Sequence, residues 1–246
     1  MRFIYITLIL LGFCGAAKAD VYSEILSTTV VLYGQGQMGS ASTVVISNKT
    51  FVISCGHVVA GLRKEIINAD GSKTIKWDKA TVYKPIYVMG RVSKYEKGVA
   101  SVIRYSPFEK EDLAILLMDE DNFTQKSVKF WNLDVIPGHG SRVITCGSYY
   151  NKFYNSISTG VISNIDIKDG EMLFDCADTT IHSGISGGPV FTESGEFIGI
   201  VVRKWAENIS MFVPLRRIKS YYERVGCGFL LEGKNIPENL LEIAVE

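Results

Sequence analysis

The sequence predicts an all-β protein, two six-stranded antiparallel β-barrels followed by one C-terminal α-helix. Short runs rich in Val, Ile, Tyr and Phe recur along the chain, with Gly, Asn or Asp between most of them. The runs fall into two groups of about six, parted near residues 120–136, which is the pattern of paired barrels. Only residues 215–226, LRRIKSYYERVG, carry apolar side chains three and four apart (Ile218, Tyr221, Tyr222, Val225), with Gly226 as a natural stop.

In chain order, residues 1–19 read as a signal peptide. Arg2 is followed by the apolar run FIYITLILLGF, and Ala17-Lys18-Ala19 forms a small-x-small cleavage pattern. The run is too short to span a bilayer, which takes about twenty residues. We therefore expect export to a periplasm or the medium, a mature start at Asp20, and no stable membrane insertion after cleavage. The first group of strands is TTVVLYG (28–34), STVVIS (42–47), FVISC (51–55), TVYKPIYVMGRV (81–92), VASVIRY (99–105) and LAILLM (113–118). Pro137, Gly138 and Gly140 mark the break. The second group is SRVITCG (141–147), ISTGVISNI (157–165), MLFDCA (172–177), GPVF (188–191), FIGIVVR (197–203) and ISMFVP (209–214). The expected domain covers 20–226, with barrel one over about 21–120, barrel two over about 134–214 and the helix over about 215–225. Residues 227–246 form a C-terminal extension without a legible motif.

Composition excludes several classes of function. Loss of the leader removes Arg2 and Lys18, leaving 24 basic and 26 acidic residues, a net charge of about −2. With no basic block interleaved with aromatics, nucleic acid is not an expected partner. Four cysteines (Cys55, Cys146, Cys176, Cys227) remain, too widely spaced for a CxxC knuckle, and the chain holds three histidines, so neither a metal site nor a cofactor is expected. Export permits disulfides, and four cysteines allow three pairings; none is singled out.

Residues 182–191, HSGISGGPVF, permit two readings of Ser186: a small residue in a glycine-rich turn, or a nucleophile. Serine chemistry at neutral pH needs a base beside the hydroxyl and a group that orients the base. His139 sits in the turn PGHGS, and His182 precedes Ser186 by only four residues. His57 stands where a β-run gives way to small residues, in VISCGHVVAG. Asp112 heads the apolar strand of KEDLAILLM, where an acid could equally be the last solvated residue before burial.

Taken together, ISCGHVV, DLAILLM and GISGGPV resemble, in that order, the histidine, aspartate and serine boxes of the trypsin-like (chymotrypsin-fold) serine peptidases. The closest branch is the bacterial HtrA/Deg type. MGSASTVVISNKTFVISCGHVV, FDCADTTIHSGISGGPV and SMFVP extend the likeness over about residues 28–225. The resemblance implies a serine endopeptidase acting on polypeptides through an acyl-enzyme, with Ser186 as nucleophile, His57 as general base and Asp112 as its orienting acid. It further implies an oxyanion hole from the N–H groups of Gly184 and Ser186. Thr180, Ile181, Gly199, Ile200 and Val201 would line the pocket for the side chain before the cut. Asp178 falls before that pocket, so the expected preference is for small or medium apolar side chains. A C-terminal PDZ module, usual in the HtrA branch, is not expected here. Two other readings keep the same fold: a silent binding or chaperone-like module, and an esterase using the same three residues. A cysteine nucleophile at Cys55 is disfavoured, because it lies two residues from His57 with no oxyanion loop of its own.

Overall fold

A computed structural model describes residues 21–150 and 154–240 of the chain. The expected leader, 1–19, and the last six residues of the expected extension, 241–246, lie outside the described residues. The first described element, helix α1 (21–28), is not among those expected. It buries Ile25, whose carbonyl accepts hydrogen bonds from the hydroxyls of Thr28 and Thr29 as the chain turns into the first strand.

Barrel one begins with β1 (Thr29–Gly34), β2 (Gln37–Ile46) and β3 (Lys49–Ser54). A single helical turn, α2 (Gly56–Val59), and the exposed hairpin β4 (Arg63–Ile67) and β5 (Lys73–Trp77) follow. The barrel resumes with β6 (Ala80–Val88), β7 (Arg91–Ser106) and β8 (Leu113–Met118). Its strands close in the order β1-β2-β3-β8-β7-β6, with Val31 of β1 opposite Tyr83 of β6. The run 81–92, read from sequence as one strand, is the hairpin between β6 and β7. Its two-residue turn, Met89-Gly90, has positive φ at both positions, the form that matches the twist of the flanking strands.

Barrel two comprises β10 (Arg142–Ser148), β11 (Asn155–Asp169), β12 (Met172–Ala177), β13 (Pro189–Thr192), β14 (Glu196–Ala206) and β15 (Ile209–Pro214). The order β13-β10-β11-β12-β15-β14 returns on itself through the pairing of β13 with β14. One extra two-residue strand, β9 (Lys129–Phe130), lies parallel against the start of β14. The expected pair of six-stranded barrels is therefore present. Strands β10, β13, β15 and the first part of β14 are buried on both faces, whereas β11 is half-buried or exposed along most of its length. Val143, Ile162, Val201 and Phe212 form one apolar cluster. Ile144, Ile200 and Val213 join a second that also holds Phe51, Ile53 and Leu116 of barrel one. Double-sided burial explains why FIGIVV reads as an unbroken apolar run rather than an alternation.

Helix α3 (Leu215–Arg224) buries Leu215, Ile218, Tyr221 and Tyr222. It ends as the sequence suggests: Gly226 takes a left-handed φ of 72°, and the N–H groups of Gly226 and Cys227 return to the carbonyls of Glu223 and Tyr222. The buried guanidinium of Arg104 donates to Val225 O at the helix C-terminus and to Leu240 O, fixing the segment that contains the short helix α4 (Phe229–Glu232). Among the described residues no helix is long and apolar enough to cross a membrane.

Candidate active site

His57 and Asp112 meet because β3 and β8 are neighbours. Ser54 pairs with Ala114, so the residues just past the end of β3 face those just before the start of β8. Asp112 closes a turn in which its N–H donates to Pro107 O, and its backbone is left-handed at φ 53°. Its side chain is only 2% exposed and accepts two kinds of hydrogen bond from His57. The backbone N–H reaches Oδ1 at 2.9 Å, and ring Nδ1 lies 2.9 Å from Oδ2 and 3.1 Å from Oδ1. A carboxylate so placed holds the proton on Nδ1 and leaves Nε2 as the basic atom. The ring of Phe108 stands edge-on to the imidazole at 6.1 Å.

Ser186 lies in the turn before β13, pressed against the histidine-bearing segment. Ser186 O accepts from Ser40 N at 2.8 Å. A Cβ at Gly187 would sit 2.1 Å from both Ser40 O and Ser54 Oγ and 3.1 Å from Cys55 N, and the φ of Gly187 is +85°. Only glycine permits so close an approach in that conformation. The Ser186 hydroxyl donates to Val202 O at 3.3 Å. Among the described residues no hydrogen bond joins it to His57.

The loop around Ser186 is shaped by its amides. Those of Ile185, Gly187 and Gly188 donate to His182 O, Val201 O and Ile185 O. Those of Gly184 and Ser186 have no backbone acceptor among the described residues. Gly184 has a φ of 99°, and its carbonyl accepts from Ser40 Oγ at 2.8 Å; the Ser40 hydroxyl in turn accepts from Ser148 N at 2.7 Å. Ser40 thus ties the loop to the end of β10. Sequence reasoning did not single it out, although the small-residue run MGSAS that contains it was noted.

Of the other histidines, His139 is exposed in its turn, and His182 packs against the rings of Tyr149 and Tyr150 at 4.6 and 4.7 Å. Thr180 is exposed with its N–H on Ser158 Oγ, and Ile181 is half-buried against barrel two. Gly199, Ile200 and Val201 lie inside the sheet, bonded on one side to β15 and on the other to β13 and Gly188. From Val202 onward, the edge of β14 facing away from β15 pairs with no strand among the described residues. Asp178 accepts from Val161 N–H, which turns its carboxylate back toward β11.

The four cysteines among the described residues are all free and buried. Burial raises the Cys55 thiol well above its ordinary pKa, with the Asp112 charge adding to the shift, and Cys55 Sγ lies 3.2 Å from Val201 O. Cys55, His57 and Asp112 have the right ligand types for a metal. Binding one there would require a thiolate that burial opposes and a ring nitrogen already held by Asp112.

Residues 41–200 match the trypsin-like peptidase domain family. The chain belongs to that family. Similar proteins are serine protease HTRA1A of Danio rerio, 23% identical over 223 residues covering 86% of this chain, and serine protease HTRA3 of Rattus norvegicus, 24% identical over 212 residues covering 83%. The chain spans about two-fifths of the length of each, since the matches cover 41% of either protein. Among solved structures, the serine endoprotease from Yersinia pestis superposes with a TM-score of 0.61 at 20% identity, over 87% of this chain and 66% of that one. That likeness shows the trypsin-like fold.

Proposed function

We propose that the chain is a serine endopeptidase in which Ser186 attacks the peptide carbonyl, His57 takes the hydroxyl proton and Asp112 holds the imidazole in the required tautomer. The supporting observation is a buried carboxylate committed to Nδ1 of His57, whose segment lies against Gly187, next to a serine whose own amide and that of Gly184 have no backbone acceptor among the described residues. The bound substrate would place its acyl segment along the open edge of β14 past Val202, adding a strand to the sheet. Its carbonyl oxygen would lie between the N–H groups of Gly184 and Ser186. Rotation about χ1 moves the Ser186 hydroxyl from Val202 O to Nε2. Attack then forms a tetrahedral adduct. The imidazolium returns the proton to the leaving amine, and water repeats the sequence to release the acid. Thr180 and Ile181 would border the pocket for the side chain before the cut, where an apolar preference fits the turned-away carboxylate of Asp178. The leader pattern in residues 1–19 supports action outside the cytoplasm.

The test is labelling with a fluorophosphonate, located by mass spectrometry. An adduct on Ser186 that is absent from Ser186→Ala supports the reading. No labelling of folded wild-type protein overturns it in favour of a binding module on the same fold. Ester turnover without cleavage of any protein substrate would favour the esterase.

A further inference from the structure

We propose that Arg203 is a specificity-determining residue that selects an acidic side chain on the acyl side of the scissile bond. The proposal rests on the peptidase reading for the direction of the substrate, but on separate residues for its chemistry. Arg203 directly follows Val202, whose carbonyl holds the Ser186 hydroxyl, and it opens the stretch of β14 whose outer edge is unpaired. A substrate strand added to that edge runs past the guanidinium within a few residues of the bond to be cut, presenting alternate side chains to it.

The guanidinium is held in a fixed plane. Its carbon lies 4.8 Å from the centroid of Phe108, on barrel one, and 5.1 Å from that of Phe174, on β12. Phe108 is the ring that stands edge-on to His57, so one aromatic ring links the guanidinium to the proposed base. Stacking of this kind leaves the donors pointing outward in the plane of the group. Nε donates to Met211 Sδ at 3.4 Å, a weak acceptor, and Nη2 forms an ion pair with Asp169. The two N–H groups of Nη1 have no partner among the described residues. A planar guanidinium, 29% exposed, with one end of its fork unfilled is a receptor for a carboxylate. Asp169, itself 37% exposed, neutralises part of the charge without covering that end.

A purely structural role is the competing account, since the stack also bridges the two barrels. The two accounts differ in what a charge change does. Quenched-fluorescence peptides identical except for Glu, Gln or Lys at two to four residues before the cut would be compared by kcat/KM. Fluorescence anisotropy would measure binding of the same peptides to Ser186→Ala, which does not depend on turnover. Wild type should favour Glu over Gln at one of these positions by on the order of tenfold, the scale of one hydrogen bond to a charged group. Arg203→Gln should abolish the ratio, Arg203→Lys should restore part of it, and Arg203→Glu should invert it toward Lys. Asp169→Asn should raise it. Melting curves would confirm that each variant is folded. Equal handling of Glu and Gln by wild type, or a ratio that survives in Arg203→Gln, overturns the proposal. If Arg203→Gln lowers the melting temperature and slows every peptide equally, Arg203 is a strap and the proposal fails. A Glu preference in the Ser186→Ala binding assay, beside a wild-type protein that neither labels nor hydrolyses an acetyl ester, would sink the peptidase reading and keep Arg203 only as the carboxylate-selecting group of a peptide-binding site.

Discussion

Ser40→Ala removes one oxygen from the centre of the site's scaffold. In the native protein that oxygen donates to Gly184 O at 2.8 Å and accepts from Ser148 N at 2.7 Å, and Ser40 is fully buried. The hydroxyl is tightly enclosed, since a Cβ placed at Gly147 would lie 2.6 Å from it. Each of the two buried backbone groups that lose their partner costs about 1–3 kcal/mol, so the substitution should destabilise the fold by about 2–6 kcal/mol. The catalytic effect is separate. Gly184 O belongs to the peptide that lies between the two proposed oxyanion donors, and freeing it lets those amides tilt. Complete loss of one donor is worth about 10²–10³ in kcat, so a displaced donor should lower kcat by roughly ten- to a hundredfold with KM little changed. Urea denaturation gives the first quantity. Ester kinetics normalised by active-site titration give the second. Stability within about 0.5 kcal/mol of wild type, together with an unchanged kcat, would refute the assignment of Ser40 as the anchor of the loop.

Ser186→Ala and His57→Ala should each reduce turnover by about a million-fold, with no further loss when combined, because both groups serve one step; additive losses in the double variant would contradict a shared role. Gly187→Ala should cost at least about 3 kcal/mol in a denaturation experiment, since the new methyl meets Ser40 O and Ser54 Oγ at 2.1 Å in a left-handed backbone. Burial raises the Glu111 carboxyl, but the hydrogen bonds from Arg224 and Arg217 outweigh it and hold the group below the usual glutamate range. A depressed folded-state pKa stabilises the protein above the unfolded value of about 4.3 and loses that effect as pH falls below it. The stability gap between wild type and Glu111→Gln should therefore be open at pH 7 and narrow toward pH 3; a gap independent of pH would count against the triad of Glu111, Arg217 and Arg224. Burial pushes the thiol of Cys146 up to about 12 and those of Cys176 and Cys227 up to about 11. All four described cysteines should resist iodoacetamide at pH 8 in the native protein and react once it is unfolded, whereas a disulfide-linked peptide in a non-reducing digest would refute the free assignment.

The strands were readable wherever burial left a mark on composition. VITCG, FIGIVV and SMFV are apolar because both faces are covered, and each is a strand. The hairpin of β4 and β5 was not readable, because RKEII and KTIKW are largely exposed and no buried face imposes a period. The turn between β6 and β7 was hidden for a different reason. Methionine occupies the first left-handed position, where Asn or Asp is the usual sign, so a hairpin looked like one long strand. Helix α1 opens the described residues and fully buries only Ile25 among its large apolar side chains, too little for a periodic signal.

Asp112 shows why the chemistry of the site was more legible than its support. From sequence, an acid heading an apolar strand could be a last solvated residue, and only its order after a histidine and before a serine argued otherwise. The structure removes the solvated reading, because the carboxylate is 2% exposed and sits in a left-handed backbone that costs an ordinary residue about 1–2 kcal/mol. A buried carboxylate without donors would be far more costly, and the donors it has are the amide and ring of His57. Its burial, its strained backbone and its partner are therefore one arrangement, and no packing need accounts for them apart from the imidazole. The supporting residues leave no such trace in a sequence. Ser40 acts on Gly184 from 144 positions away, and Arg203 gains its setting from aromatic rings contributed by Phe108 and Phe174 on different barrels. Serine in a small-residue strand and arginine at the end of an apolar one are common types in common places. Their roles exist only once the two barrels have closed on each other.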